Sequence, residues 1–262
     1  MDILYWIIIF SLLGGVLSVI AASAFLLIPE ASRNRALPHA VSFAIGALLG
    51  AAFLALLPHA MADNGAKDFH QIGLTVLIGI LVFFVLEKMV LWRHCHSDHC
   101  EAHTHHEAFE QGSQHSTISM ILIGDGLHNF VDGILIAAAF LTDIHLGIVT
   151  SIAVATHEIP QEVGDFAILL HSGLSRTKAL LLNILSSLTT LVGAILAYAW
   201  LQDLSSIIPT VLAIAASSFI YIAMADLLPN LHKRTRLSDT LKQLILIVSG
   251  IVTIYMAHSS LH

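Results

Sequence analysis

The chain has 262 residues, of which 56% are hydrophobic and only 11% are charged, whereas a soluble domain carries about 25% charged residues. The apolar residues fall in long blocks, which a soluble core does not require. The formal net charge of −7 argues against nucleic acid as a partner. This composition excludes an ordinary soluble domain and indicates a bundle of helices in a lipid bilayer.

Eight apolar segments are each long enough to cross the hydrocarbon layer, which takes about 20 residues. The first is too long for a signal-peptide core and follows Asp2 rather than a basic cluster, so it is predicted to be a span. The sequence therefore predicts an all-α membrane protein in which residues 1–262 form one transmembrane domain. In chain order the predicted spans are 3–28, 36–61, 69–92, 117–141, 146–171, 175–200, 207–229 and 240–258.

Basic residues predict the orientation of these spans, because loops rich in Lys and Arg stay cytoplasmic. Lys67 lies in a loop on one side, and the other Lys and Arg residues lie in alternate loops on the opposite side. Both termini are therefore predicted outside, and loop 93–116 in the cytoplasm. A chain of this length without a large outer domain favours the plasma (inner) membrane of a prokaryote as its location.

Polar residues interrupt the fourth and fifth spans at their centres, where an aspartate costs about 2.5–3.5 kcal/mol to insert. On each span these residues recur every three or four positions and so share one helix face. Two antiparallel helices joined by a short turn would bring the two faces together near the bilayer midplane. The residues are Asp125, His128, Asn129 and Asp132 on the fourth span, and His157, Glu158, Gln161, Glu162 and Asp165 on the fifth.

The chemistry of these faces favours a transition-metal dication. Imidazole and carboxylate together suit zinc, iron, manganese or cobalt, whereas magnesium and calcium prefer oxygen ligands alone. Neither span contains Lys or Arg to neutralise the carboxylates. Pro160 also leaves the carbonyl of Thr156 without its helical donor, which is tolerated in a membrane where the backbone lines a cavity. The alternative is a buried hydrogen-bonded network that holds no metal.

Four motifs carry a resemblance to the ZIP (Zrt-, Irt-like protein) family of metal transporters, in the branch with the HExPxE signature. They are GDGLHNFVDG (124–133), HEIPQEVGDFAIL (157–169), LLPHA (56–60) and ADLLPNL (225–231). The resemblance implies an eight-helix bundle of 3+2+3 architecture. Two three-helix units related by an inverted repeat would flank spans four and five.

The same resemblance implies a binuclear metal centre. Matched residue by residue, the first metal position takes His128, Asp132, His157 and Gln161. The second takes Asn129, Glu158 and Glu162, with Asp132 also placed to be shared. Many relatives have histidine at the position of Gln161, and some offer a carboxylate at the position of Thr190.

A transport path is predicted on either side of this centre. Metal would enter past His59 and leave past Asp125, Asp165 and Asp226, with import as the direction that the resemblance implies. The expected substrate is Zn²⁺, with Fe²⁺, Mn²⁺, Co²⁺ and Cd²⁺ as alternatives, and no prosthetic group is expected. The expected partners are divalent metal ions, the lipid bilayer and a second copy in a homodimer. Isolated histidines such as His258 are expected to be interface residues.

The predicted cytoplasmic loop 93–116 is rich in histidine and contains both cysteines of the chain. Because histidines surround them, the cysteines are expected to be metal ligands rather than a disulfide. The loop would capture or sense metal, or would be a weakly chelating tract without consequence for transport. Its candidate ligands are His94, Cys95, His96, His99, Cys100, His103, His105 and His106.

Two other classes of protein are alternatives to an importer. An intramembrane zinc metalloenzyme would require a second histidine four residues after His157, and Gln161 stands there behind Pro160. The sequence therefore predicts that the protein is not an enzyme. A metal efflux carrier or a metal-sensing receptor would use the same ligands as an importer.

Overall fold

The computed structural model describes residues 2–62, 69–92, 114–232 and 236–260. Every secondary-structure element within these ranges is helical, which confirms the predicted all-α class. Two π-helical segments, Ala51–Leu56 and Ile222–Leu227, and a 3₁₀ turn, Ser205–Ile207, connect some of the α-helices. The α-helices are α1 (Ile3–Gly14), α2 (Val16–Phe25), α3 (Glu30–Gly50), α4 (Leu57–Ala62), α5 (Phe69–Trp92), α6 (Gln114–Thr142), α7 (Ile144–His171), α8 (Arg176–Leu201), α9 (Ile208–Tyr221), α10 (Leu228–Leu231) and α11 (Leu237–Ser260).

Within the described ranges, seven helical stretches are long and apolar enough to cross a membrane. The helix α7 does not reach that apolar composition, although it has 28 residues. Its centre carries the polar residues of the fifth predicted span, which lower its hydropathy. The seven stretches are Ile3–Phe25, Glu30–Ala62, Phe69–Met89, Ile118–Thr142, Arg176–Leu201, Ile208–Leu231 and Leu237–Ser259.

Two boundaries differ from the sequence prediction. The prediction that the residues just before the second span form a connecting loop is wrong, because α3 begins at Glu30, six residues before the predicted start of that span. Pro29 precedes this helix, Glu30 complements the dipole of its first turn, and the following Ala and Arg residues are good helix formers. The first span is also interrupted, at Gly15, where a Cβ atom would lie 2.7 Å from the carbonyl oxygen of Ser187.

The two π-helical segments stand directly before a Leu-Pro pair in the second and seventh predicted spans. Pro58 and Pro229 have no N–H, so neither can donate to the carbonyl four residues earlier. The residue before each proline bonds five residues back instead: the N–H of Leu57 donates to Ala52, and that of Leu228 donates to Ala223. Proline thus widens both helices at corresponding positions of two similar sequences, LLPHA and LLPNL.

Glycines bring two pairs of parallel helices into backbone contact. Between α6 and α8, a Cβ on Gly133 would overlap the carbonyl of Thr190, and a Cβ on Gly193 would overlap that of Phe130. Between α3 and α11, the same reciprocal relation holds for Gly46 and Gly250. Close packing of this kind stabilises helix pairs in membranes, where lipid competes for any apolar surface.

The substitution Gly193→Ala should therefore destabilise the protein. The added methyl group would force apart the backbones of α6 and α8, an overpacking that costs about 1–3 kcal/mol and would lower the Tm by about 5 °C. Thermal unfolding in detergent measures this change. The control Gly73→Ala, where a Cβ atom has nothing within 4 Å, should leave the Tm at or above that of the original chain. Equal Tm values for both variants would contradict the packing argument.

Candidate metal site

The candidate site lies at the centres of α6 and α7. These helices have 29 and 28 residues, so His128 is the middle residue of α6, and His157 and Glu158 flank the middle of α7. Asp143 alone separates the two helices and begins α7 by accepting hydrogen bonds from the N–H groups of His145 (2.8 Å) and Leu146 (3.0 Å). This one-residue turn folds α7 back along α6 and sets the two midpoints side by side.

Four side chains from the two helices converge on one point. The Nε2 atom of His128 lies 3.2 Å from Nε2 of His157, 3.2 Å from Oε1 of Glu158 and 3.8 Å from Oδ2 of Asp132. The Nε2 atom of His157 lies 3.3 Å from Oδ2 of Asp132 and 3.7 Å from Oε1 of Glu158. His157, Asp132 and Glu158 are buried, and the His128 side chain is 20% exposed.

These distances match the spacing of ligands around a single ion. Zinc bonds of about 2.0–2.1 Å in tetrahedral geometry place neighbouring ligand atoms about 3.3 Å apart. The Nδ1 atom of His157 lies 3.1 Å from the carbonyl oxygen of Ala153, which assigns the proton to Nδ1 and the lone pair to Nε2. The imidazole is thereby held in the tautomer that a metal ligand needs.

A second group of carboxylates adjoins the first. Asp125, Glu158 and Glu162 each offer an oxygen atom within 4.8 Å of the others, and all three residues are buried. Glu158 belongs to both groups and therefore links them. The two groups thus bring together five of the predicted ligands and Asp125, which was predicted for the exit path. The five ligands are His128, Asp132, His157, Glu158 and Glu162.

The helix α8 supplies hydrogen-bond donors to this second group. Ser186 donates to Oδ2 of Asp125 (2.5 Å), and Asn183 donates to Oε2 of Glu162 (2.8 Å). Thr190 donates to the side-chain oxygen of Asn129 (2.7 Å), whose amide group in turn donates to Oδ1 of Asp125 (2.8 Å). Asn129 therefore connects α8 to Asp125 beside the carboxylates.

Sequence reasoning missed Asn183 and Ser186. Their signal was available, because buried polar residues recur on α8 at the spacing of one helix face: Asn183, Ser186, Ser187 and Thr190. Uncharged polar residues are common in membrane helices, however, so this face is a weaker indication of function than the carboxylates of α6 and α7.

Several carboxylate oxygens of the site accept no hydrogen bond from the described part of the chain. They are both oxygens of Asp132, both of Glu158 and Oε1 of Glu162. A buried ionised carboxylate is costly unless it is paired or binds a metal. The stretch 114–171 contains no Lys or Arg, so the pairing charge has to come from bound cations or protons.

The remaining predicted residues lie farther along the same helices or elsewhere. Gln161 lies between Glu158 and Glu162 on α7, Asp165 follows Glu162, and both Gln161 and Asp165 are partly buried. Asp226 lies in the second π-helical segment and is exposed, and partly buried His59 lies in α4. The predicted ligands of loop 93–116 between His94 and His106 lie outside the described residues.

Fold and site together define an all-helical, multi-pass membrane protein with a buried histidine–carboxylate cluster. The sequence profile described as ZIP Zinc transporter matches residues 3–94 and 92–257. The chain therefore belongs to the ZIP family, as its motifs predicted, and this is a family of zinc transporters rather than of enzymes.

Individual relatives give the same result. The chain is 35% identical over 229 residues to zinc transporter ZIP13 of Pongo abelii, an alignment that covers 82% of this chain and 65% of that protein. It is 32% identical over 249 residues to ZIP13 of Mus musculus, covering 82% and 68%. It is 39% identical over 142 residues to zinc transporter ZIP10 of Homo sapiens, covering 53% of this chain but 17% of that protein.

Proposed function

We propose that this protein carries divalent transition metal ions, with zinc as the principal substrate, across a membrane and into the cytoplasm. The observation that carries the proposal is the convergence of His128, Asp132, His157 and Glu158 on one buried point at the centres of α6 and α7. A metal ion there would be held at the midplane by two imidazoles and two carboxylates, a ligand set suited to zinc. The second group, with Asp125 and Glu162, would take the ion or a second one next.

The proposal includes eight crossings with both termini outside. Two features support it. The helices of the pairs α3–α11 and α6–α8 are parallel, so an odd number of crossings must lie between the two members of each pair, and α7 is the single crossing between α6 and α8. Basic residues also stand at the starts of these helices, such as Arg33 on α3 and Arg176 on α8, at the end proposed to be cytoplasmic.

The finer predictions belong to the same proposal. The HEIPQE segment of α7 would place the protein in the HExPxE branch, with Gln161 as a weak neutral ligand. The histidine-rich loop would capture metal on arrival in the cytoplasm, and two copies would form a homodimer. The prokaryotic plasma membrane stays a prediction, because the relatives named above come from eukaryotes.

A flux assay in proteoliposomes tests the proposal and its direction. Purified protein is reconstituted, and zinc movement is followed with a trapped fluorescent indicator under an inward and then an outward zinc gradient. Zinc flux that depends on the protein is expected, and it should be inhibited by Co²⁺ or Cd²⁺ more than by Mg²⁺. A peptide-hydrolysing activity without flux would favour the metalloenzyme. Net efflux from cells that express the protein would favour the opposite direction.

Removal of the Asn183 side chain tests the role of α8. The substitution Asn183→Ala deletes the donor that holds Oε2 of Glu162, so that the carboxylate loses its fixed orientation. Because outer partners of metal ligands typically contribute 10–100-fold, zinc flux should fall about tenfold. The matched control is Leu185→Ala on the same helix, where the side chain is exposed and flux should persist. Undiminished flux in Asn183→Ala would show that this bond does not serve transport.

A further inference from the structure

A second pair of imidazole rings lies away from the central site. His59 in α4 and His258 in α11 pack edge to face, with ring centroids 5.4 Å apart, the same separation and arrangement as in the His128–His157 pair. Both residues are partly buried. From the sequence, His59 was predicted to line the path and His258 to be an isolated interface residue. Nearly two hundred residues separate the two histidines in the chain.

The hydrogen bonding of His59 repeats that of His157. The Nδ1 atom of His59 lies 2.8 Å from the carbonyl oxygen of Ala55, one helical turn earlier, as Nδ1 of His157 lies 3.1 Å from that of Ala153. This bond assigns the proton to Nδ1 and leaves a lone pair on Nε2. His59 is therefore held in the tautomer that binds a metal through Nε2.

The helix ends around this pair also favour a cation. His59 lies in the last turn of α4, and His258 lies in the last turn of α11. The contact between their rings brings the carboxyl ends of two helices together. A helix carries a partial negative charge at its carboxyl end, so two such ends side by side stabilise a positive ion.

We propose that His59 and His258 form a second metal site at the mouth of the protein, where a divalent transition metal ion is captured before it enters. The site rests on the proposed function for its place on the outer side and for its role in entry. A site with two histidine ligands from the described part of the chain binds a metal more weakly than the four ligands of the central site. Weak binding suits an ion that must leave again, because conduction requires sites that release what they capture.

Thiol protection tests the site without relying on transport. The full chain carries Cys95→Ser, Cys100→Ser and His258→Cys, and a membrane-impermeant maleimide is added from outside with increasing zinc. A thiolate that shares zinc with His59 should be alkylated about tenfold more slowly, and adding His59→Gln should abolish this protection. Ser259→Cys, one residue along the helix, is the matched control and should label at the same rate with or without zinc.

Three results would overturn the proposal. Zinc would fail to slow labelling, or would slow it equally without His59, or the introduced thiol would react only from the inside. Each of these outcomes is independent of zinc flux. If the original chain showed no flux in proteoliposomes, the proposed function would fail while the thiol result still decided whether the metal site exists.

Flux measurements then test the role in entry. The substitution His258→Gln should raise the KM for zinc about fivefold with a smaller change in Vmax, because it weakens capture rather than the later steps. Combining it with His59→Gln should add little, since both ligands serve one site. His145→Gln is the control at the same end of the bundle. Unchanged KM in His258→Gln, or effects of the two substitutions that multiply, would contradict a shared capture site.

Discussion

Zinc flux is expected to fall about 100-fold or more when Glu158 is replaced by glutamine, because even the outer partners of metal ligands typically contribute 10–100-fold. Glu158 is the residue that both ligand groups share, and its carboxylate is buried with neither oxygen accepting a hydrogen bond from the described part of the chain. Glutamine keeps the size of the side chain but removes the charge. The substitution therefore leaves the packing of α7 intact while it weakens both metal positions at once.

Initial rates of zinc uptake into proteoliposomes, normalised to reconstituted protein, measure this effect. The control is Glu30→Gln, which removes a carboxylate in the exposed first turn of α3 and should leave flux unchanged. The Tm of Glu158→Gln should equal or exceed that of the original chain, because a buried charge is lost. Flux near the original rate would refute a path through both ligand groups.

The substitution His128→Ala is expected to abolish most zinc uptake and to change metal preference. It removes one of two imidazoles and leaves a site dominated by oxygen ligands, which favours manganese over zinc relative to the original site. The ratio of zinc to manganese uptake should fall about tenfold, since imidazole ligation is what selects zinc here. The His128 side chain is 20% exposed, so its truncation should be tolerated by the fold.

A metal-competition assay in cells measures this change: uptake of labelled zinc is followed against increasing unlabelled Mn²⁺, Co²⁺ and Cd²⁺. The matched control is His171→Ala, which removes an exposed histidine at the end of α7. Membrane expression of both variants is checked by immunoblot. An unaltered competition profile in His128→Ala would remove His128 from the ligand set.

The two polar faces of α6 and α7 were predictable because helix periodicity alone aligns residues three and four apart. The assignment of His128, Asp132 and Glu158 to these faces therefore follows from the span boundaries alone. Their meeting was predictable as well, since a short turn makes consecutive helices antiparallel.

The contribution of α8 was not predictable in the same way. Asn183, Ser186 and Thr190 are uncharged, and their importance depends on which helix α8 contacts. Gly133 and Gly193 determine that contact. Because neither has a Cβ atom, each can lie directly against a backbone carbonyl group that is distant in sequence. Pairing of this kind is a property of the packed bundle, and no periodic pattern within one span reveals it.

Helix boundaries and local helix geometry were also only partly predictable from the sequence. The polar first turns of α3 were assigned to a loop because an apolar window detects burial in lipid rather than helix formation. Pro58 and Pro229 each remove a helical donor, but whether the backbone kinks or widens into a π-helix depends on the neighbours that fill the added space. The pairing of His59 with His258 likewise depends on the parallel packing of α3 and α11.

The most direct test of the account is to locate the transported ion. Crystals of the protein grown in lipid with zinc would give an anomalous difference map at the zinc absorption edge. The predicted result is a peak between α6 and α7, about 2.0–2.2 Å from Nε2 of His128, Nε2 of His157 and the carboxylates of Asp132 and Glu158. Zinc bound elsewhere in the chain, with no peak among these four residues at saturating concentration, would contradict the proposed path.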